Sequence, residues 1–191
     1  MSKFLLLLGP SGVGKSSIIE ELIRLDSRFV YISPFMTRPL REGEKNKISI
    51  SGKEMDEMSE RGEFLIINEL YGVRYATPRL PIEQALAIGN FPILDWPINR
   101  VCVMTEAFPN QLYIVYVSPP SIEALQQRLA RDDRDAEGHR LRSARKELEV
   151  LESSRHSKMY DFEIVSEENQ VPKIAQTIYA NYLQQFFPQQ P

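Results

Sequence analysis

The octapeptide Gly9-Pro10-Ser11-Gly12-Val13-Gly14-Lys15-Ser16 fits the pattern G-x-x-x-x-G-K-[ST] at every fixed position. It follows the apolar run Phe4–Leu8, and apolar residues continue after it at Ile18, Ile19, Leu22, Ile23 and Leu25 with helical spacing. A strand that turns through glycines into a helix is the setting in which such a loop wraps a polyphosphate. Its amides turn inward, glycine permits the backbone and the close approach, and the helix N-terminus adds a positive end. Lys15 is expected to reach the β- and γ-phosphates, the Ser16 hydroxyl to bind Mg2+, and Ser17 to complete the nucleotide contacts. The motif therefore predicts an ATP-type site and an α/β core built around it; a plain glycine turn between strand and helix is the alternative.

The rest of the chain supports one such core. Its 191 residues, 42% hydrophobic, suffice for a single α/β domain with small insertions but not for two full-sized domains. A net charge of -3 provides no global field for nucleic acid or anionic membrane, so any anion site has to be local. The single cysteine, Cys102, excludes an intrachain disulfide, and Phe4–Leu8 is too short for a signal segment or a membrane span. A cytoplasmic protein is expected. Cys102 lies among Val101, Val103 and Met104, which predicts a buried structural thiol.

Apolar runs recur at Phe4–Leu8, 29–32, 91–94 and 112–117, with a weaker one at Phe162–Val165, and helical patterns separate most of them. That alternation predicts a parallel sheet flanked by helices. Pro81 opens a short helix that Gly89 closes, Ser121 caps another through Leu125 and Leu129, 140–152 continues as a helix, and 171–187 carries a last one. Two regions break the rhythm. The first, 34–79, combines a charged loop, a polar strand candidate at 47–51, a helix near 53–61 and strands near 64–69 and 73–75. The second, 128–145, concentrates arginines at 128, 131, 134, 140, 142 and 145.

Phosphoryl transfer is served mainly by positioning and by cations around the transferred group. Arg38 and Arg41, three apart in one loop, have the spacing to grip an acceptor phosphate, or else form a solvated basic loop. Arg128 and Arg131 share a helix face, and Asp132, Asp133, Arg134, Asp135 and Gly138 form a charged excursion with the character of a lid; a salt-bridged surface helix pair is the alternative. Asp95 ends the 91–94 run, at the strand end where ligands bind in open α/β sheets, ready to orient Mg2+ waters or an acceptor, or simply to cap the next helix. His139 and His156 have no partner at metal-ligand spacing.

Taken together, these residues resemble the guanylate kinase family of P-loop kinases over nearly the whole chain. The resemblance rests on the phosphate loop, Thr37-Arg38-x-x-Arg41-x-Gly43-Glu44, Arg61-Gly62-Glu63-Phe64-Leu65, Tyr75-Ala76-Thr77-Pro78, Leu94-Asp95, and Ser118-Pro119-Pro120-Ser121 through Arg128-Leu129. It implies a P-loop fold in one domain: core at 1–33, 80–127 and 143–191, a small acceptor-binding insertion at 34–79 and a helical lid at 128–142. It implies that Arg38, Arg41 and Tyr75 hold the acceptor phosphate, that Thr77 sits beside the base, and that Arg128, Arg131 and Arg140 are lid arginines, with Arg131 and Arg134 competing for one role in a shortened lid. The implied reaction is ATP- and Mg2+-dependent phosphorylation of a nucleotide, nominally GMP, or of a sugar phosphate, by a monomer or homodimer.

Departures from the family pattern bear on the acceptor. Ile66 falls where the family has a guanine-reading acid, Pro97 where it has a second aspartate, Pro34 where it has a serine, and 47–51 holds no phosphate-binding tyrosine. A guanine whose N–H donors lost a buried carboxylate partner would bind more weakly by about 2–4 kcal/mol. Two further readings follow: a sugar-phosphate kinase similar to the ribose-bisphosphate kinases, which need no base-reading acid, and a guanylate-kinase-like module that holds a phosphorylated peptide. The intact Lys15 and Ser16 favour catalysis over the module.

Overall fold

Every residue of strand β1 (Phe4–Leu8) is buried because both faces of the sheet it runs through are covered. Its side chains alternate. Leu5 and Leu7 join one apolar cluster, while Phe4, Leu6 and Leu8 join another on the opposite face. In this computed structural model, which describes residues 4–42, 44, 46–70, 72–131, 138–153 and 159–186, β1 is the middle of five parallel strands. The order is β2 (Phe29–Tyr31), β7 (Phe91–Asp95), β1, β8 (Leu112–Ser118), β9 (Phe162–Val165). Because all five run the same way, Tyr31, Leu8, Asp95, Ser118 and Val165 end on one edge, where open α/β sheets bind ligands.

Helices α1 (Lys15–Leu25) and α7 (Val171–Phe186) cover the Leu5 face through Ile18, Ile19, Leu22, Ile174, Ile178 and Tyr182. The Tyr182 ring packs against Phe29, Phe91, Tyr113 and Phe186 at centroid distances of 5.2–6.0 Å. On the other face lie α3 (Leu80–Ala87), with Pro81 in its first turn, and α4 (Val101–Ala107), behind a short 3-10 turn at Ile98–Arg100. The expectation of a buried Cys102 is overturned here. Residues 101–104 are helical rather than extended, so Val101 and Met104 turn inward three apart, and Cys102 is exposed between them.

A second sheet is built from strands within 35–78. Its order is β4 (Ile48–Ser49), β3 (Phe35–Met36), β6 (Val73–Pro78), β5 (Phe64–Leu70), with β5 and β6 forming an antiparallel hairpin. The polar 47–51 stretch supplies only the two-residue β4. Helix α2 (Gly52–Glu60) interrupts the strands and starts on a reciprocal cap: Ser51 Oγ accepts from Glu54 N, and the Glu54 carboxylate accepts from Ser51 N at 2.8 Å. Ser121 likewise caps α5 (Ile122–Ala130), accepting from Ala124 N, and α6 (His139–Ser153) returns the chain to the sheet. Gly43, His156 and the 132–135 stretch assigned to a lid from sequence lie outside the described residues.

Candidate active site

The phosphate loop follows β1 into the edge of the sheet, and its first glycine is forced by space as well as conformation. Gly9 has φ 134, and a Cβ there would come within 2.3 Å of the Val117 carbonyl oxygen on β8. Gly14, at φ 102, is the left-handed residue from which α1 starts. The first turn of α1 carries no acidic residue and its N-cap makes no side-chain hydrogen bond, so the positive end of the helix is left for a ligand. Ser16 and Ser17 are exposed in that turn, while Val13 is buried. Ser11 and Gly12 form the turn before it, and Val13 N closes that turn on the Pro10 carbonyl at 3.3 Å.

Lys15 folds back over its own loop, donating to the Gly9 carbonyl and, at 3.0 Å, to the Pro10 carbonyl. Burial lowers its pKa, opposed by the carboxylates of Asp95 and Glu147 and assisted by the charges of Arg140 and Lys47. An ammonium held by neutral carbonyls and partly desolvated is stabilised by any anion that comes within reach. Asp95, the last residue of β7, accepts a 3.0 Å hydrogen bond from the Tyr31 hydroxyl at the end of β2. Burial, Asp95 and the Glu44 carboxylate push that hydroxyl well above the usual tyrosine range, so it stays a donor.

Across from Lys15, the charged loop at 37–44 is organised by one ion pair. Arg38 Nη1 and Nη2 meet Glu44 Oε2 and Oε1 at 2.8 and 2.7 Å, and both side chains are mostly shielded. Hydrogen bonding from Arg38 holds the Glu44 carboxyl down at about 2. Glu44 also accepts from Arg41 N, whose exposed side chain stands at the loop surface. Tyr75 lies close enough to Arg38 to act on its guanidinium, whose Nε is buried without a hydrogen-bond partner among the described residues. Lys47 places its ammonium 5.8 Å from the Tyr75 ring centroid. Thr37 pins the loop to β6: its N–H donates to the Arg74 carbonyl at 3.1 Å, and the Arg74 N–H donates to Thr37 Oγ1 at 3.0 Å.

The structure thus puts Lys15 within the field of Asp95 and Arg140, ties Asp95 to Tyr31, and groups Arg38 with Glu44 and Lys47 with Tyr75. Thr77 is buried on β6 opposite Ile66 of β5, and Ile66 packs with the apolar cluster on the Phe4 face. Arg128 and Arg131 do share a side, but it faces the turn after β9. Arg128 Nη2 donates to the Ser166 carbonyl at 2.7 Å, and Arg131 pairs with Glu168 at 2.8 Å on the surface. Ser166 Oγ in turn donates to Val13 O at 2.7 Å, so Arg128 leans on the phosphate loop through one serine. Tyr31, Lys47, Ser166 and Glu147 were not singled out by sequence. Only Tyr31, at the carboxyl end of a strand run, carried a usable signal.

The guanylate kinase family model matches residues 1–185. The chain belongs to that family. A guanylate kinase of Symbiobacterium thermophilum is 36% identical over 170 residues, covering 86% of this chain and 77% of its own. One from Nostoc sp. is 30% identical over 172 residues, covering 87% and 83%. The crystal structure of guanylate kinase from Anaplasma phagocytophilum superposes with a TM-score of 0.73 at 21% identity, over 98% of this chain and 88% of that one. A shikimate kinase from Acinetobacter baumannii shares the fold more distantly, with a TM-score of 0.54. As a guanylate kinase family member the chain has an α/β P-loop kinase fold with a parallel sheet flanked by helices. No helix among the described residues is long and apolar enough to cross a membrane.

Proposed function

We propose that this guanylate kinase family member transfers the γ-phosphoryl group of ATP to a phosphorylated small molecule, nominally GMP to give GDP. The observation that carries the reading is the placement of two cations: Lys15 held over the phosphate loop within the field of Asp95, which accepts from Tyr31, and Arg38 held by Glu44 in the charged loop. Phosphoryl transfer requires cations on both sides of the moving group, and few other reactions require this pairing.

Gly9 to Ser17 cradle the ATP phosphates, and Lys15 leaves the Gly9 and Pro10 carbonyls for the β- and γ-oxygens. Arg38, Arg41 and Tyr75 orient the acceptor phosphate, with Thr77 on the strand beside it. Arg128, Arg131 and Arg140 neutralise charge on the transferring group; Arg140 already acts on Lys15 in this arrangement. The residues fit Mg2+, because an exposed hydroxyl at Ser16 and the Asp95 carboxylate facing Lys15 are hard oxygen donors of the kind it takes alongside phosphates. When bound, Mg2+ would offset charge on the phosphate oxygens, with Ser16 as its ligand and Asp95 orienting its waters. Residues 34–79 would serve as the acceptor-binding unit and 128–142 as the lid.

A sugar-phosphate acceptor is the second reading, supported by Ile66, which packs in an apolar cluster where a guanine-reading acid is expected. The deciding experiment measures ADP release with ATP and Mg2+ against GMP, dGMP, AMP, CMP, UMP and ribose bisphosphate, with Lys15→Ala as the blank. Turnover with GMP supports the nominal acceptor. Turnover with ribose bisphosphate alone assigns the sugar phosphate, and silence across the panel removes catalysis in favour of a phosphate-holding module.

A further inference from the structure

The turn after β9 meets both the phosphate loop and helix α5 at a single buried residue. Ser166, 3% exposed, extends the ladder one step past the strand end, its N–H donating to the Ser118 carbonyl at 2.8 Å, so its backbone is fixed to the sheet. Its one hydroxyl proton goes to the Val13 carbonyl at 2.7 Å. The hydroxyl oxygen accepts from Arg128 Nη1 at 3.3 Å, and the Ser166 carbonyl accepts from Arg128 Nη2 at 2.7 Å. One residue thus holds two arms of a guanidinium and the buried part of the phosphate loop.

Helix α5 also reaches the loop at the neighbouring position. A Cβ at Gly12 would lie 2.6 Å from Leu129 Cδ2 and 3.5 Å from Leu125 Cδ1, so these two buried leucines seat α5 against the loop. Apolar contact fixes how close the helix comes but has no direction, whereas two N–H···O bonds from one planar guanidinium fix where it points. The oxygens that hold Arg128 are neutral, while Arg38 and Arg131 meet the carboxylates of Glu44 and Glu168. Arg128 is therefore oriented without its charge being cancelled by these partners, the same arrangement that holds Lys15 over the Gly9 and Pro10 carbonyls. Cations fixed in this way stabilise charge developing on a phosphoryl group without reorganising at the moment of transfer.

We propose that Ser166 is a positioning residue: its hydroxyl, held between the Val13 carbonyl and Arg128, registers the α5 guanidinium on the phosphate loop and so delivers its charge to the phosphates bound there. The kinetic part of this rests on the phosphotransferase reading, whereas the hydroxyl bridge does not. Alanine at 166 removes the bridge and leaves the backbone carbonyl as the one remaining arm of the fork.

The test compares Ser166→Ala, Arg128→Lys, Arg128→Ala and the Ser166→Ala/Arg128→Ala pair, with thermal melts to confirm folding. At saturating substrates, kcat should fall about 10-fold in Ser166→Ala and at least as far in Arg128→Ala, with the acceptor KM within about twofold of wild type. The pair should be no slower than Arg128→Ala alone. Arg128→Lys keeps the charge but not the planar fork and should also lose roughly tenfold, which leaves the proposal testable even where Ser166→Ala melts too low to assay. A kcat close to wild type in Ser166→Ala or Arg128→Lys, a raised acceptor KM in place of the fall in kcat, or losses that multiply in the pair would each overturn the proposal. Should wild type turn over no acceptor, the phosphotransferase reading falls separately. The same cycle in MgATP dissociation constants then decides the Ser166 assignment: losses that do not add support it, and losses that multiply, or no loss in Ser166→Ala, overturn it.

Discussion

The two halves of the site are built to different standards of rigidity. β1 and the phosphate loop stand on a strand with every side chain buried, whereas β5 in the second sheet buries none of its residues fully and exposes Glu69 and Leu70. The phosphate side is held mainly by apolar packing, and the facing unit largely by ion pairs such as Arg38–Glu44 and Arg74–Asp56, the α2 cap and a hairpin. The difference shows how a kinase-like fold can keep its nucleotide loop fixed while the part that selects the acceptor remains adjustable. Apolar burial is lost only by unfolding, while a small sheet with solvent-exposed bonds opens at lower free energy.

The sharpest break in this comparison is Lys15→Ala. It should lower phosphoryl transfer at least about 100-fold with an unchanged melting profile; turnover close to wild type would remove the phosphate loop from the reaction. Next is Leu22→Ala beneath the loop in α1. Leu22 is fully buried, and its truncation should cost about 3 kcal/mol in denaturant unfolding. A cost below about 1 kcal/mol would show that the phosphate side is not the better packed half.

On the other half, Arg41→Ala should raise the KM for the acceptor roughly tenfold and leave that for ATP nearly unchanged. Equal effects on both substrates would erase the division of labour between the halves. Ser51→Ala removes the reciprocal cap of α2 and should cost about 1 kcal/mol. Its effect should appear as faster hydrogen exchange in 52–78, with β1 untouched; uniform acceleration would mean that the two sheets open as one unit.

The smallest expected effect is on pH dependence. The Glu44 carboxyl is held at about 2 by Arg38, below its unfolded value near 4.3, so its charge binds Arg38 fully above that value. The contribution is lost as pH falls from about 4.3 through about 2. Melts of wild type and Glu44→Gln should therefore converge across that window. A constant difference between them would indicate that Glu44 stabilises the loop through its backbone contact with Arg41 instead.

Much of the core was readable because its signals are local. A five-residue apolar run, a glycine-lysine-serine loop and apolar residues at helical spacing placed β1, the loop and α1, and Ser121 announced the cap of α5. Cys102 was misread because a run of four apolar-type residues has no intrinsic period; only the preceding 3-10 turn shows that the segment is helical. Arg128 and Arg131 were correctly read as sharing a face, but nothing local disclosed that Ser166 and Glu168 lie opposite them.

By itself the sequence determined the phosphate loop, its strand and helix, the alternation that yields a parallel sheet, and the arginines available for a second phosphate. Each is specified by residues within a few positions of one another, where backbone geometry and period decide. Only the tertiary structure decided that Tyr31 reaches Asp95 across 64 residues, that Ser166 reaches Val13 across 153, and that Arg128 reaches Ser166 across 38. Such contacts depend on which strands and helices become neighbours, and a hydrogen bond across that span leaves no periodic trace in either segment that makes it.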